Sequence, residues 1–348
     1  MNKGMEVSTF LAEIKRREEA KVDYLATSST MFMGDGQMIF RKLGQKRFDV
    51  SELAHQQLAT YLGIPMSYYR KMQTQKPALL DYSVNRWIEK SDEKRFVRTL
   101  DGKIRAFLSD KFKPYDNAEV MGTLDTIMKN GLGKDLYVKS ANISDNRLYL
   151  QMVNKRFEGE VAKGDVVQGG VVISNSEVGL GRFKIEKMLY RLVCLNGAIM
   201  GQVIGKTHVG RKMNGEDGIV YKEDTMLADV QAFNLQVRDI LEDALGEGSF
   251  MKMLENAQTA STIEIPAASV EPVLQEVTKR YSFGEEGGKK MLASLIESRD
   301  FSKWGLANAI TRQAHDTEDY DRSVDYQRIG GEIISMPTNE WVGMVGRS

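Results

Sequence analysis

Residues 165–213, DVVQGGVVISNSEVGLGRFKIEKMLYRLVCLNGAIMGQVIGKTHVGRKM, decide how the chain is read. Val166 to Ile173 is rich in β-branched residues and punctuated by glycine. Phe183 to Leu189 alternates, and Tyr190 to Met200 is largely aliphatic with Asn196-Gly197 as a turn signal, so strands broken by tight turns are expected. From Arg182 to Lys212 seven Lys/Arg stand against one acid, Glu186. Phe183 and Tyr190 lie among those cations. Cations mixed with aromatic rings suit a single-stranded nucleic acid, where charge follows the phosphates and rings stack on bases. The competing reading buries Phe183 and Tyr190 in a core and leaves the cations as a solvated face.

Three segments of this region resemble a known family. They are Ile173-Ser174-Asn175-Ser176-Glu177-Val178-Gly179, Leu189-Tyr190-Arg191-Leu192-Val193-Cys194-Leu195-Asn196-Gly197 and His208-Val209-Gly210. Upstream, Arg105-Ala106-Phe107-Leu108-Ser109-Asp110-Lys111-Phe112 is similar to the same family's other characteristic segment. The family, encoded by phages and plasmids, carries only the label domain of unknown function 932. The resemblance, running from about Phe48 to Ile334, implies a mobile-element setting and no mechanism.

Composition narrows the classes. The chain has 348 residues, 42% hydrophobic and 28% charged, as in soluble globular proteins. No apolar run approaches a membrane span and the amino terminus lacks a signal-peptide core, so the expected location is the cytoplasm of a bacterial host, without membrane association. The lone cysteine, Cys194, excludes an internal disulfide and a multi-cysteine zinc site, and its apolar neighbours suggest a buried thiol. The 48 basic and 48 acidic residues are unevenly spread: Met1 to Lys212 holds 35 Lys/Arg and 24 Asp/Glu, the remainder 13 and 24. A basic working part and an acidic carboxyl-terminal part follow.

Along the chain, residues 1–50 read as an amino-terminal helix and a first hairpin around Gly34-Asp35-Gly36. Residues 51–92 read as a helical insertion resembling a helix-turn-helix, in which Ser67, Tyr68, Arg70 and Lys71 would face DNA. Residues 93–213 form a basic antiparallel β core opening on the hairpin signal Asp101-Gly102, and residues 214–348 an acidic helical region. The expected fold class is α+β: an antiparallel hairpin sheet with helices on one face, followed by a helical carboxyl-terminal part.

Catalytic chemistry is weakly signposted. His55, His208 and His315 share no metal-ligand spacing, no phosphate-loop pattern occurs, and neither a catalytic residue, a metal nor a cofactor is assigned. The candidate nucleic-acid contacts are Arg98, Arg105, Arg182, Lys184, Arg191, His208, Arg211 and Lys212. The leading expectation is a non-catalytic protein of phage or plasmid DNA metabolism that binds or anneals single-stranded nucleic acid, DNA first, as a homo-oligomer. A host-takeover or anti-defence protein that docks a host or phage protein through the acidic helices is the alternative. A metal-dependent nuclease built on His208 is the third.

Overall fold

The structure, a computed structural model, describes residues 4–206 and 223–345. His208, Arg211 and Lys212 lie outside the described residues. The chain opens with α1 (Val7–Ala20), then β1 (Lys21–Thr27), β2 (Met31–Gly34), β3 (Gln37–Phe40) and β4 (Lys46–Val50). Three helices follow, α2 (Glu52–Tyr61), α3 (Met66–Gln75) and α4 (Pro77–Ile88), and then the hairpin β5 (Lys94–Leu100) and β6 (Lys103–Ser109). After α5 (Asn117–Ile127) come five strands: β7 (Leu136–Ile143), β8 (Leu148–Glu160), β9 (Val166–Asn175), β10 (Phe183–Arg191) and β11 (Asn196–Lys206). The rest is helical: α6 (Glu223–Ala244), α7 (Glu247–Thr262), α8 (Val270–Arg280), α9 (Gly284–Ser298), α10 (Lys303–Arg312), α11 (Tyr320–Ser335) and α12 (Thr338–Val345). The α+β class holds.

The strands make two sheets. The first has the order β1-β5-β6-β4-β3-β2, with β4 and β6 parallel; the second is antiparallel, β11-β10-β9-β8-β7. A boundary at residue 92 therefore cuts through the first sheet, because β5 and β6 pair with β1 and β4 across the helical layer. Both hairpin signals form turns for a stated reason. Asp35 and Gly36 (φ 54° and 76°), like Asp101 and Gly102 (φ 52° and 77°), are left-handed, the backbone that matches strand twist in a two-residue loop. Asn196-Gly197 is different. It starts β11 opposite Tyr190 and Arg191, and the turn lies before it with Leu195 left-handed at φ 54°. Gly197 is needed for packing, since a Cβ there would stand 2.8 Å from Met188 Sδ.

Helices α2 to α4 cover one face of the first sheet. Leu58, Tyr69, Met72, Leu80 and Val84 bury against Met31, Met33, Phe40, Phe48 and Phe107. Ser51 starts α2 by accepting from Ala54 N at 3.1 Å, and a capping box of Asp116 and Glu119 starts α5. On the second sheet, α1, α5 and α6 pack over Leu150, Ile173, Phe183 and Ile185. Burying Phe10 and Ile14 of α1 contributes roughly 2–3 kcal/mol each. Across the opposite face runs α11, with Tyr320 and Val324 on Tyr149, Val172, Met188 and Tyr190. Phe183 and Tyr190 are thus core residues. Cys194 is half-buried in the turn before β11 and accepts from Arg191 Nη1 at 3.2 Å; it is not a strand-core thiol.

Candidate nucleic-acid interface

Among the described residues the expected cation row does not form. Arg98 is fully buried on β5: Nε and Nη2 donate to Asp23 (3.0 and 2.8 Å), and Nη1 and Nη2 to Asp116 (2.7 and 2.9 Å). Burial disfavours its charge, yet these two carboxylates outweigh that and hold its pKa above the ordinary guanidinium value. Asp116 also pairs with Lys21. Arg105 is buried and donates to Glu177 at 2.7 Å. Arg191 pairs with Asp165, whose other oxygen accepts from the indole of Trp304 at 2.8 Å. Guanidinium groups buried as deeply as those of Arg98 and Arg105 need a carboxylate to meet them, and the partners come from distant segments. Arg98, Arg105 and Arg191 are therefore structural cations, which corrects their expected place on a phosphate track.

Two described members of the row remain nearer the surface, Arg182 and Lys184, both half-buried. Burial pushes the Lys184 ammonium below its ordinary value, with Arg328, Arg182 and Arg147 adding repulsion against the pull of Glu186. Glu186 itself is taken by Arg328 of the acidic helix α11, at 2.9 and 2.7 Å. The motif polars are likewise internal. Asn175 Nδ2 donates to Tyr115 O (2.7 Å) and Asn117 Oδ1 (3.0 Å), and Ser176 Oγ donates to Asn146 O (2.8 Å). These residues close the joint between the two sheets, so they do not form an anion-binding turn.

The aromatic and cationic mixture appears elsewhere, on the outer faces of α3 and α4. Tyr68 is 53% exposed, Tyr82 58% and Trp87 65%. In the same stretch of sequence Arg70, Lys71, Lys76, Arg86 and Lys90 are exposed, alongside Asp81 and Glu89. Arg70 pairs with Glu52, and Arg86 lies 5.4 Å from the Tyr82 ring centroid while bonding Glu89 at 3.0 Å. Lys71, Lys76 and Lys90 have no ion pair among the described residues. The helix-turn-helix expectation named Tyr68, Arg70 and Lys71. Tyr82 and Trp87 lie outside that expectation: apolar spacing groups Trp87 with Leu79, Leu80 and Val84, whereas the buried stripe drifts around α4 from Leu80 through Val84 to Ile88 and leaves Trp87 exposed at its rim.

A concavity of about 600 Å³ lies against β11, α7 and α11, lined in part by Glu186, Met200, Lys252, Met253, Arg328 and Glu340. Most of its charge is internally matched: Glu186 by Arg328, and Glu332 and Glu340 by Arg280. Among the described residues no group of three His, Cys, Asp or Glu side chains could hold a metal ion. No described helix is long and apolar enough to cross a membrane.

No curated protein and no solved structure matches the chain at a significant level. A family described as domain of unknown function (DUF932) matches residues 106–329. That stretch takes in most of β6, the whole second sheet and the helices as far as α11, well over half of the sequence, and the chain therefore belongs to the DUF932 family.

Proposed function

We propose that this chain is a non-catalytic nucleic-acid-binding protein of phage or plasmid DNA metabolism that holds a single strand on the outer faces of α3 and α4. The observation that carries the reading is the exposure of Trp87, Tyr82 and Tyr68 among lysines without ion pairs. Trp87 is 65% exposed, and large apolar side chains grouped in water mark interaction surfaces. Bases stack on such rings without regard to sequence, while mobile lysines neutralise phosphates. Tyr82 already carries Arg86 against its ring, so a base would stack on a polarised face.

The test is fluorescence polarisation of labelled oligothymidylate and oligouridylate, about 20 nucleotides long, against the whole protein over a salt series. Binding is expected, weakening steeply with salt and accompanied by quenching of tryptophan fluorescence that disappears in Trp87→Phe. Unchanged polarisation at low salt for both probes removes the proposal.

A further inference from the structure

Arg95, on β5, is a cation that no carboxylate bonds among the described residues. Its Cζ stands 4.1 Å from the Tyr61 ring centroid and 5.3 Å from that of Phe107. The side chain makes no hydrogen bond or ion pair among the described residues, and its Nε is buried without an acceptor. Arg98, three residues on, is met by two carboxylates. Ring stacking engages only the flat face of a guanidinium; its five N–H donors point outward in the plane and seek oxygen. Burial lowers the Arg95 pKa from the ordinary value, and Tyr61, Glu93 and Asp110 oppose that through charge without bonding the group.

Position adds to chemistry. Tyr61 Oη is 2.9 Å from Ser91 Oγ, and Ser91 N donates to Ile88 O at 3.1 Å. Arg95 is thus joined through Tyr61 and Ser91 to the end of α4, beside Trp87 and Lys90. We infer that Arg95 is the seat of one phosphate of the bound strand, adjacent to the base that stacks on Trp87. The inference rests on the nucleic-acid reading above. Two rings already hold the guanidinium, so little side-chain freedom is lost when an oxyanion meets its open edge.

The test uses the full chain and two variants whose folding is checked by circular dichroism. Arg95→Met keeps the stem against Tyr61, and Arg95→Lys keeps the charge without the fork. With labelled oligothymidylate, Arg95→Met is expected to bind about tenfold more weakly. Its slope of log affinity against log salt should be shallower by about 0.7, the value of one phosphate contact on a single strand. Arg95→Lys should recover the slope and part of the affinity. Wild-type affinity and slope in Arg95→Met would overturn the Arg95 inference and leave the α3–α4 reading standing. If the wild-type chain binds no oligonucleotide, the functional reading falls, and titration with inorganic phosphate decides the rest. A saturable shift of the Arg95 Nε–H resonance, identified by its loss in Arg95→Lys, upholds an oxyanion seat; an unmoved resonance ends it.

Discussion

Arg105 Nη1 donates to Glu177 Oε2 at 2.7 Å across 72 residues of sequence, both side chains being more than nine-tenths buried. The other Glu177 oxygen accepts from Asn117 N at 2.8 Å, and its main-chain carbonyl accepts from Arg98 at 3.0 Å. One residue after β9 thus ties together β5, β6 and the start of α5. Without that carboxylate Arg105 would be stranded, because its Nε and Nη2 already lack acceptors. Glu177→Ala is expected to cost about 3–5 kcal/mol in urea unfolding, and Arg105→Met combined with Glu177→Leu markedly less. A wild-type midpoint in Glu177→Ala would show that the pair bears no structural load.

Acid should loosen the same joint. Burial alone would raise the Asp116 pKa, but Arg98 and Lys21 hold it below the usual carboxylate value. Glu13 is lowered from 4.5 to about 2 by hydrogen bonds from Arg16 and Arg17. Both folded values are depressed, so the stability these groups add is present above the unfolded value and lost as pH falls through the folded one. The difference in urea midpoint between wild type and Asp116→Asn is expected to be constant above about pH 5 and to shrink below about pH 4. A difference that grows on acidification would contradict this assignment.

Two glycines on helices should respond in opposite senses. A Cβ on Gly331 would stand 1.9 Å from Ile199 O, so Gly331→Ala has to push α11 off β11. A loss of about 2–3 kcal/mol is expected. Gly122 on α5 meets nothing within 4 Å, and Gly122→Ala is expected to gain about 0.5–1 kcal/mol. Thermal melts of both variants check the pair.

Reversing charge at Arg191 should unfold rather than disarm. Arg191 of β10 and Trp304 of α10 share Asp165, which stands just before β9. Arg191→Glu is expected to lower the free energy of unfolding by at least about 3 kcal/mol. A stable Arg191→Glu variant with weakened oligonucleotide affinity would return this residue to the binding surface.

Reversal at exposed lysines should do the opposite. Lys71→Glu, Lys76→Glu and Lys90→Glu together are expected to leave stability within about 0.5 kcal/mol per site. The same triple variant should abolish oligonucleotide binding at moderate salt. Calorimetry and polarisation on one preparation separate the two effects.

Local signals were legible in the sequence and pairings were not. Asp35-Gly36 and Asp101-Gly102 announced their turns because left-handed backbone demands such residues, and the carboxyl-terminal helices from α6 to α11 follow apolar spacing closely. Strand alternation shows that a residue faces one side without saying which side is covered. Arg98 was therefore read as outward, while its partners Asp23 and Asp116 stand 75 and 18 residues away. The parallel contact of β4 with β6, which merges the early strands into one sheet, has no local signature either. Trp87 is a related case: its spacing from Leu80 does not show that the buried stripe drifts round to Ile88 and leaves the indole at its rim.

Arg105, Asn175 and Glu177, all in the segments that resemble the family, are taken up in the weld between two sheets. Chains that share those segments inherit a common chassis more surely than a common task. Divergence in what they do can proceed on the outward helices, where a change of side chain leaves the frame intact.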